Sequence, residues 1–199
     1  MNIATAKPSM PPRQRRAAAA IILGTIGPGL CGCAELGRNC GFERQAVKVA
    51  ADRDKALIDP AVRETAIAAL IAIAAPRDPE ERYDARYMPV ETTAWRVRAT
   101  LREISFYEED GDYDLVLADA AGRTMIAEAP DPACATGSAL GAQIAAVRAT
   151  IAARFPTVPA MPGIPVTVTG IGFFDIIHDD RRQAPNGIEL HPITAIEWR

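Results

Sequence analysis

The chain contains two histidines, and both fall in its C-terminal segment. His178 follows Gly172-Phe173-Phe174-Asp175, His191 sits in Glu189-Leu190-His191-Pro192, and a Pro185-Asn186-Gly187 turn lies between them. If the flanking runs are antiparallel strands, the two imidazoles approach one another, and Glu189 shares a strand face with His191. With Asp175 this would make a His/carboxylate set of the kind that holds a metal. The plainer expectation is a structural corner, with the His191 ring bonded to nearby groups and Pro192 ending the ladder, because no fixed metal-ligand spacing is met.

A second feature is a row of arginines. Trp95, Val97, Ala99 and Leu101 alternate with Arg96, Arg98, Thr100 and Arg102, so one strand face is core and the other cationic. Such a row is either an anion platform or a solvated face paired with acids such as Glu103 and Glu128. Arg96, Arg98, Arg102, His178 and His191 are therefore the candidate binding residues. The acidic run Glu108-Glu109-Asp110-Gly111-Asp112 reads as a charged hairpin tip, with calcium chelation as the alternative. No glycine-rich phosphate loop, Ser-His-Asp elbow or His-Glu-x-x-His motif occurs in the sequence.

The elements that must position these groups follow from periodicity. The first strand starts at Thr93, a second spans 113–118 and a third 123–128. A helix over 140–155 carries Leu140, Ile144, Val147, Ile151 and Phe155 on one stripe, with Ser138 as its N-cap. Strands at 166–177 and 188–198 complete the set. Three strands, a helix and two more strands is the order of an OB-fold, a five-stranded partly open barrel, so the expected class is mainly β with helices. An open sheet with one helix on its face uses the same elements. Upstream, 43–49 reads as a short strand. Residues 61–75 read as a helix, with Asp59 as N-cap, Pro60 at its first position and Val62, Ile67, Leu70 and Ile71 on its apolar face. The expected organisation is a leader over 1–34, an N-terminal extension over 35–92 and an OB-fold-like domain over 93–199.

The leader has a charged start at Arg13, Arg15 and Arg16, an apolar run over 17–30 and small residues after it, the three-part pattern of an export signal. Leu30-Cys31-Gly32-Cys33 resembles a bacterial lipobox, which would make Cys33 the lipidated residue and attach the chain to a membrane. Cleavage after Ala34 is the alternative. Either leaves Cys40 and Cys134 as the unmodified thiols, so an oxidising compartment favours a Cys40–Cys134 disulfide over two free thiols. The expected location is exported: periplasmic, lipid-anchored or secreted. A net charge of −3 gives no global pull toward nucleic acid or anionic membrane, so any such contact must come from a local patch.

Residues 40–48, 110–134 and 170–192 together resemble a group of uncharacterised bacterial exported proteins, with Gln45 and the Asp179-Asp180-Arg181-Arg182 run departing from the group's pattern. A more distant similarity is to thermonuclease-like OB-fold enzymes. It rests on Asp110-Gly111-Asp112 before the second strand, and on Arg123, Glu128 and Asp131 at that family's arginine–acid–acid spacing, with Pro130 matching its proline. Glu128 and Asp131 exchange the family's Asp and Glu, and Tyr113 stands where the family has threonine. The resemblance implies a calcium-dependent phosphodiesterase in which Asp112 or Glu128 holds the ion, Asp131 is the base, and Arg123 with Arg181 or Arg182 binds phosphate. The leading expectation is instead an exported cell-envelope module that binds a ligand or protein, has no catalysis or cofactor of its own, and meets nucleic acid only in the enzyme alternative.

Overall fold

The computed structural model describes residues 40–178 and 180–199. The leader expectation, including Cys33 and Ala34, lies outside the described residues. Six strands form one sheet: β1 (Asp59–Thr65), β2 (Thr93–Phe106), β3 (Tyr113–Ala118), β4 (Thr124–Ala129), β5 (Ile164–Phe174) and β6 (Ile188–Trp198). Strands β2 to β6 close on themselves in the order β2-β3-β4-β6-β5, with β5 returning to β2. Helix α3 (Gly141–Arg154) connects β4 to β5, and β4 meets β6 in parallel at Ala127 and Leu190. This closed five-stranded, mainly β barrel is OB-fold-like.

The length of β2 makes closure possible. Its residues Ala94 to Leu101 pair with β5, and Thr100 to Phe106 pair with β3 across a register shift between Leu101 and Glu103. A shift of that kind bends a strand, so β2 can serve both halves of the barrel. Inward positions repeat every second residue, as in Leu115 and Leu117 of β3 and Met125 and Ala127 of β4, all fully buried. Val147 and Ile151 of α3, with Phe155 just beyond it, close one end of this core. Each of the larger of these side chains contributes about 1.5–3 kcal/mol by leaving water. The hairpin tip between β2 and β3 depends on Gly111, whose φ of 80° suits glycine. A Cβ at Gly172 of β5 would lie 2.6 Å from the Val90 carbonyl and 2.8 Å from Trp95 Nε1, so glycine lets the segment before β2 lie against β5.

Two upstream expectations are corrected. Residues 43–49 contain a single helical turn, α1 (Gln45–Lys48), rather than a strand. Backbone N–H groups of Val47 and Lys48 donate to Arg44 O, and Val47 turns into the protein. The helix expected over 61–75 is confined to α2 (Ile67–Ile71), and Asp59–Thr65 is a strand instead. That strand pairs in parallel with the first half of β2, Arg63 opposite Trp95 and Thr65 opposite Val97, so a long-range ladder overrides the local helical pattern. Downstream, β5 ends at Phe174 instead of 177, and Ser138 acts one turn before α3 by accepting from the Leu140 N–H.

Two buried ion pairs hold the segment before β2 together, and contacts with Phe174 and a disulfide fasten it to the barrel. Arg44 donates to both carboxylate oxygens of Glu91 at 2.7 Å, and to the carbonyls of Ala85 and Phe174. Glu91 also accepts the Tyr87 and Phe174 N–H groups. Arg86 meets Asp52 through Nε and Nη2, the latter at 2.6 Å, and donates to the carbonyls of Val47 and Glu91. Planar guanidinium forks suit such two-oxygen pairing. Cys40 and Cys134 form the expected disulfide, joining the start of the described chain to the turn after β4.

Candidate ligand site at one end of the barrel

The loops joining β2 to β3 and β5 to β6 converge beside α1, and a cleft of about 350 Å³ opens between them. Its walls are Tyr107, Glu109 and Asp110 from the first loop, and Asp175, His178, Asp180, Arg182 and Gln183 from the second. Asp114, Glu128 and Glu189 face it from β3, β4 and β6, and Glu43 and Lys48 close it from the α1 segment. Strand parity explains the floor. Asp114 and Glu128 alternate with the core residues Leu115 and Ala127, so they lie on the barrel's outer surface beneath the loops.

Under this floor His191 is completely buried. Its Nδ1 lies 2.7 Å from Glu128 Oε2 and 3.2 Å from Glu189 Oε1, and its Nε2 lies 3.5 Å from Asp112 Oδ2. Carboxylates on both sides of the ring are the surroundings of an imidazolium. Burial pulls the His191 pKa down, but the Glu128 charge and contacts with Asp112, Glu128 and Glu189 override it and hold it well above the ordinary value. Burial raises Glu128 in turn, yet the His191 charge and hydrogen bond, with Lys48, bring it below the usual carboxylate range. Glu189 is pushed up by burial and by the charges of Glu128 and Asp175. Lys48 is desolvated, yet Glu128, Asp175, Glu189 and Glu43 hold its ammonium above its ordinary value.

Asp114 is pushed up to about 8 by burial, then by Glu128 and Asp110. A carboxyl whose folded pKa is raised binds more protons folded than unfolded, so its contribution to stability falls as pH rises from about 4 to about 8. Asp114→Asn is therefore expected to gain stability relative to the natural protein across that window, at up to about 1.4 kcal/mol per pH unit, and to hold a constant lead above it. Urea unfolding at a series of pH values measures this. A stability difference independent of pH would contradict it.

The two histidines do not form one site. His191 lies among Asp112, Glu128 and Glu189, whereas His178 is exposed and its Nε2 lies 3.7 Å from Asp175 Oδ2. The arginine row is divided as well. Arg96 donates to Thr169 Oγ1 and lies 3.5 Å from Glu64 Oε1 on β1, while Arg98 and Arg102 are exposed. The acids expected to pair with this row are engaged elsewhere, Glu103 with Arg182 and Glu128 with His191. Arg102 instead lines a second hollow, of about 510 Å³, together with Arg181, Arg182, Glu103 and Thr124 on the outer face of β2, β3 and β4. Arg182 stands between the hollow and the cleft, bonded to Asp180, Glu103 and the Tyr107 hydroxyl.

Of the nuclease set, Asp112 and Glu128 meet at His191. Arg123 is exposed at the β3–β4 turn in a 2.7 Å salt bridge with Asp119. Five residues of extended chain separate it from Glu128, about 16 Å. The Asp131 side chain accepts from the Ala133 N–H at the start of a 3₁₀ turn, and its own N–H donates to Asp112 Oδ1. Sequence reading missed Glu43, Lys48 and Asp114. Only Asp114 carried a signal, as an acid on the same strand face as Asp112 within an otherwise apolar run.

No protein-family model matches the chain, and no curated protein matches it. Among solved structures it is similar to a chain from Leishmania major Friedlin assigned as an aspartyl-tRNA synthetase, at 15% sequence identity and a TM-score of 0.41. That match covers 70% of this chain, which spans about a fifth (21%) of the length of the other.

Proposed function

We propose that the chain is an exported binding module of the cell envelope, without catalysis of its own, that takes an anionic polymer along the outer face of β2, β3 and β4. The observation that carries this is the position of the hollow lined by Arg102, Arg181 and Arg182. It lies over the strands and loops on which OB barrels seat oligonucleotides and oligosaccharides. The neighbouring acidic cleft repels the same polymer, so electrostatics confine it to the arginine side. The disulfide supports an oxidising, exported setting.

Fluorescence anisotropy with a labelled acidic polysaccharide and with single-stranded DNA tests this. Binding to at least one is expected, weakening with salt, with the log–log salt slope reduced by about one for each of Arg102→Ala and Arg181→Ala. Absence of binding, or binding indifferent to salt and to both substitutions, would contradict it. A thermonuclease-like calcium-dependent phosphodiesterase is the alternative. The meeting of Asp112 with Glu128 favours it, and the salt bridge that engages Arg123 at the far end of β4 opposes it. Degradation of single-stranded DNA or RNA that needs calcium and is lost in Arg123→Ala and Asp131→Ala would establish the alternative.

A further inference from the structure

At the mouth of the acidic cleft, Glu43, Asp175 and His178 place one ligand atom each within 4.8 Å of one another. They come from two segments far apart in sequence, Glu43 just before α1 and the other two just after β5. The Asp175 carboxylate is divided between neighbours. Its Oδ1 lies 3.8 Å from Lys48 Nζ, and its Oδ2 lies 3.7 Å from His178 Nε2. Two ligands held tetrahedrally at about 2.0–2.1 Å from a metal are about 3.3–3.4 Å apart. The His178–Asp175 separation therefore closes onto an ion with a shift of a few tenths of an ångström.

An independent observation concerns Glu189. It lines the same cleft, is 1% exposed, and its Oε2 has no hydrogen-bond partner among the described residues. A buried carboxyl oxygen left bare is costly, and positive charge entering the cleft that Glu189 lines would lower that cost. The His191 cluster does not offer an equivalent site. Its Nδ1 lies 3.2 Å from Glu189 and 2.7 Å from Glu128, its Nε2 lies 3.5 Å from Asp112 without a hydrogen bond, and neither His191 nor Asp112 lines the cleft, the arrangement of an internal ion cluster.

The geometry points to a divalent transition-metal site of the zinc class at the mouth of this cleft, with Glu43, Asp175 and His178 as ligands. Imidazole with carboxylates selects zinc-like ions over calcium or magnesium, which favour all-oxygen sets. An ion held there would tie the α1 segment to the β5–β6 loop. It would stabilise the folded chain by mass action, because the unfolded chain lacks the assembled site.

The experiment is isothermal titration of the metal-free, disulfide-intact protein with zinc and separately with calcium, alongside thermal melts. One zinc per chain, a melting temperature that rises with zinc concentration, and no calcium binding are expected. Glu43→Gln and His178→Gln should each weaken zinc by tenfold or more while leaving the metal-free melting temperature unchanged, since His178 is exposed and neither residue packs in the core. His191→Gln, if it folds, should retain zinc. No zinc binding, zinc binding indifferent to Glu43→Gln and His178→Gln, or calcium binding as tight as zinc would each overturn the site. Polymer binding repeated in EDTA separates this inference from the proposed function, because the arginine hollow contains none of the three ligands.

Discussion

Glu91→Ala is expected to lower the unfolding free energy by about 3–5 kcal/mol, the usual cost of removing one member of a buried ion pair. The carboxylate has no exposed surface and serves four donors: Arg44 Nη1 and Nη2 and the Tyr87 and Phe174 N–H groups. Alanine would leave the Arg44 charge buried with no anion beside it, only carbonyl oxygens and the Tyr87 and Phe173 rings. It would also orphan two backbone donors where the segment before β2 meets the end of β5. Removing both charges, as Arg44→Met with Glu91→Leu, should cost less than Glu91→Ala alone, because no uncompensated charge remains. Chemical denaturation followed by circular dichroism measures both. A single-variant loss below about 1 kcal/mol would mean that the pair is not held as described.

Loss of the Cys40–Cys134 bond should be of similar size. The bridge spans a sequence separation of 94 residues, for which the chain-entropy model gives about 4–5 kcal/mol. For a domain of this size that corresponds to a fall of about 10–20 °C in melting temperature. The effect should appear both in Cys40→Ser with Cys134→Ser and in the natural protein under reductant. The reduced protein should lose the docking of residues 40–52 first, because the bond anchors the start of that segment, whose other attachments include Arg44 with Glu91, Asp52 with Arg86 and Lys48 with Asp175. Identical melts with and without reductant would contradict this.

The barrel was legible because its signals are local. Period-two alternation runs from Trp95 to Leu101, Asp110-Gly111 marks the hairpin, and β6 (Ile188–Trp198) has the bounds read from the sequence. Residues 59–65 were not, since alanine and valine there fit a helix as well as a strand, and the deciding ladder to β2 lies some thirty residues downstream. The ion pairs had no sequence signal at all. Arg44 meets Glu91 across 47 positions and Arg86 meets Asp52 across 34, and an isolated arginine reads as surface.

The site shows the same division. Glu189 and His191 were grouped by their i, i+2 spacing, and they do meet at 3.2 Å. Asp112 joins them only because β3 and β6 flank β4 in the closed barrel, an adjacency set by closure rather than by local sequence. Glu43 and Lys48 reach the cleft because the segment holding them is folded back by the disulfide and by Arg44. The arginine hollow needed the β5–β6 loop to bring Arg181 and Arg182 to the same lining as Arg102, again across a long stretch of sequence.

The central claim, a polymer seated over β2, β3 and β4, is tested most directly by mapping backbone amide shifts of the labelled protein during titration with the tighter-binding anionic polymer. Shifts should concentrate in residues 98–106, 114–118, 124–128 and 180–183, and should collapse when Arg102 and Arg181 are both replaced by alanine. Shifts confined to residues 59–82 and the far surface, or a spectrum unchanged at saturating polymer in a folded protein, would contradict the claim.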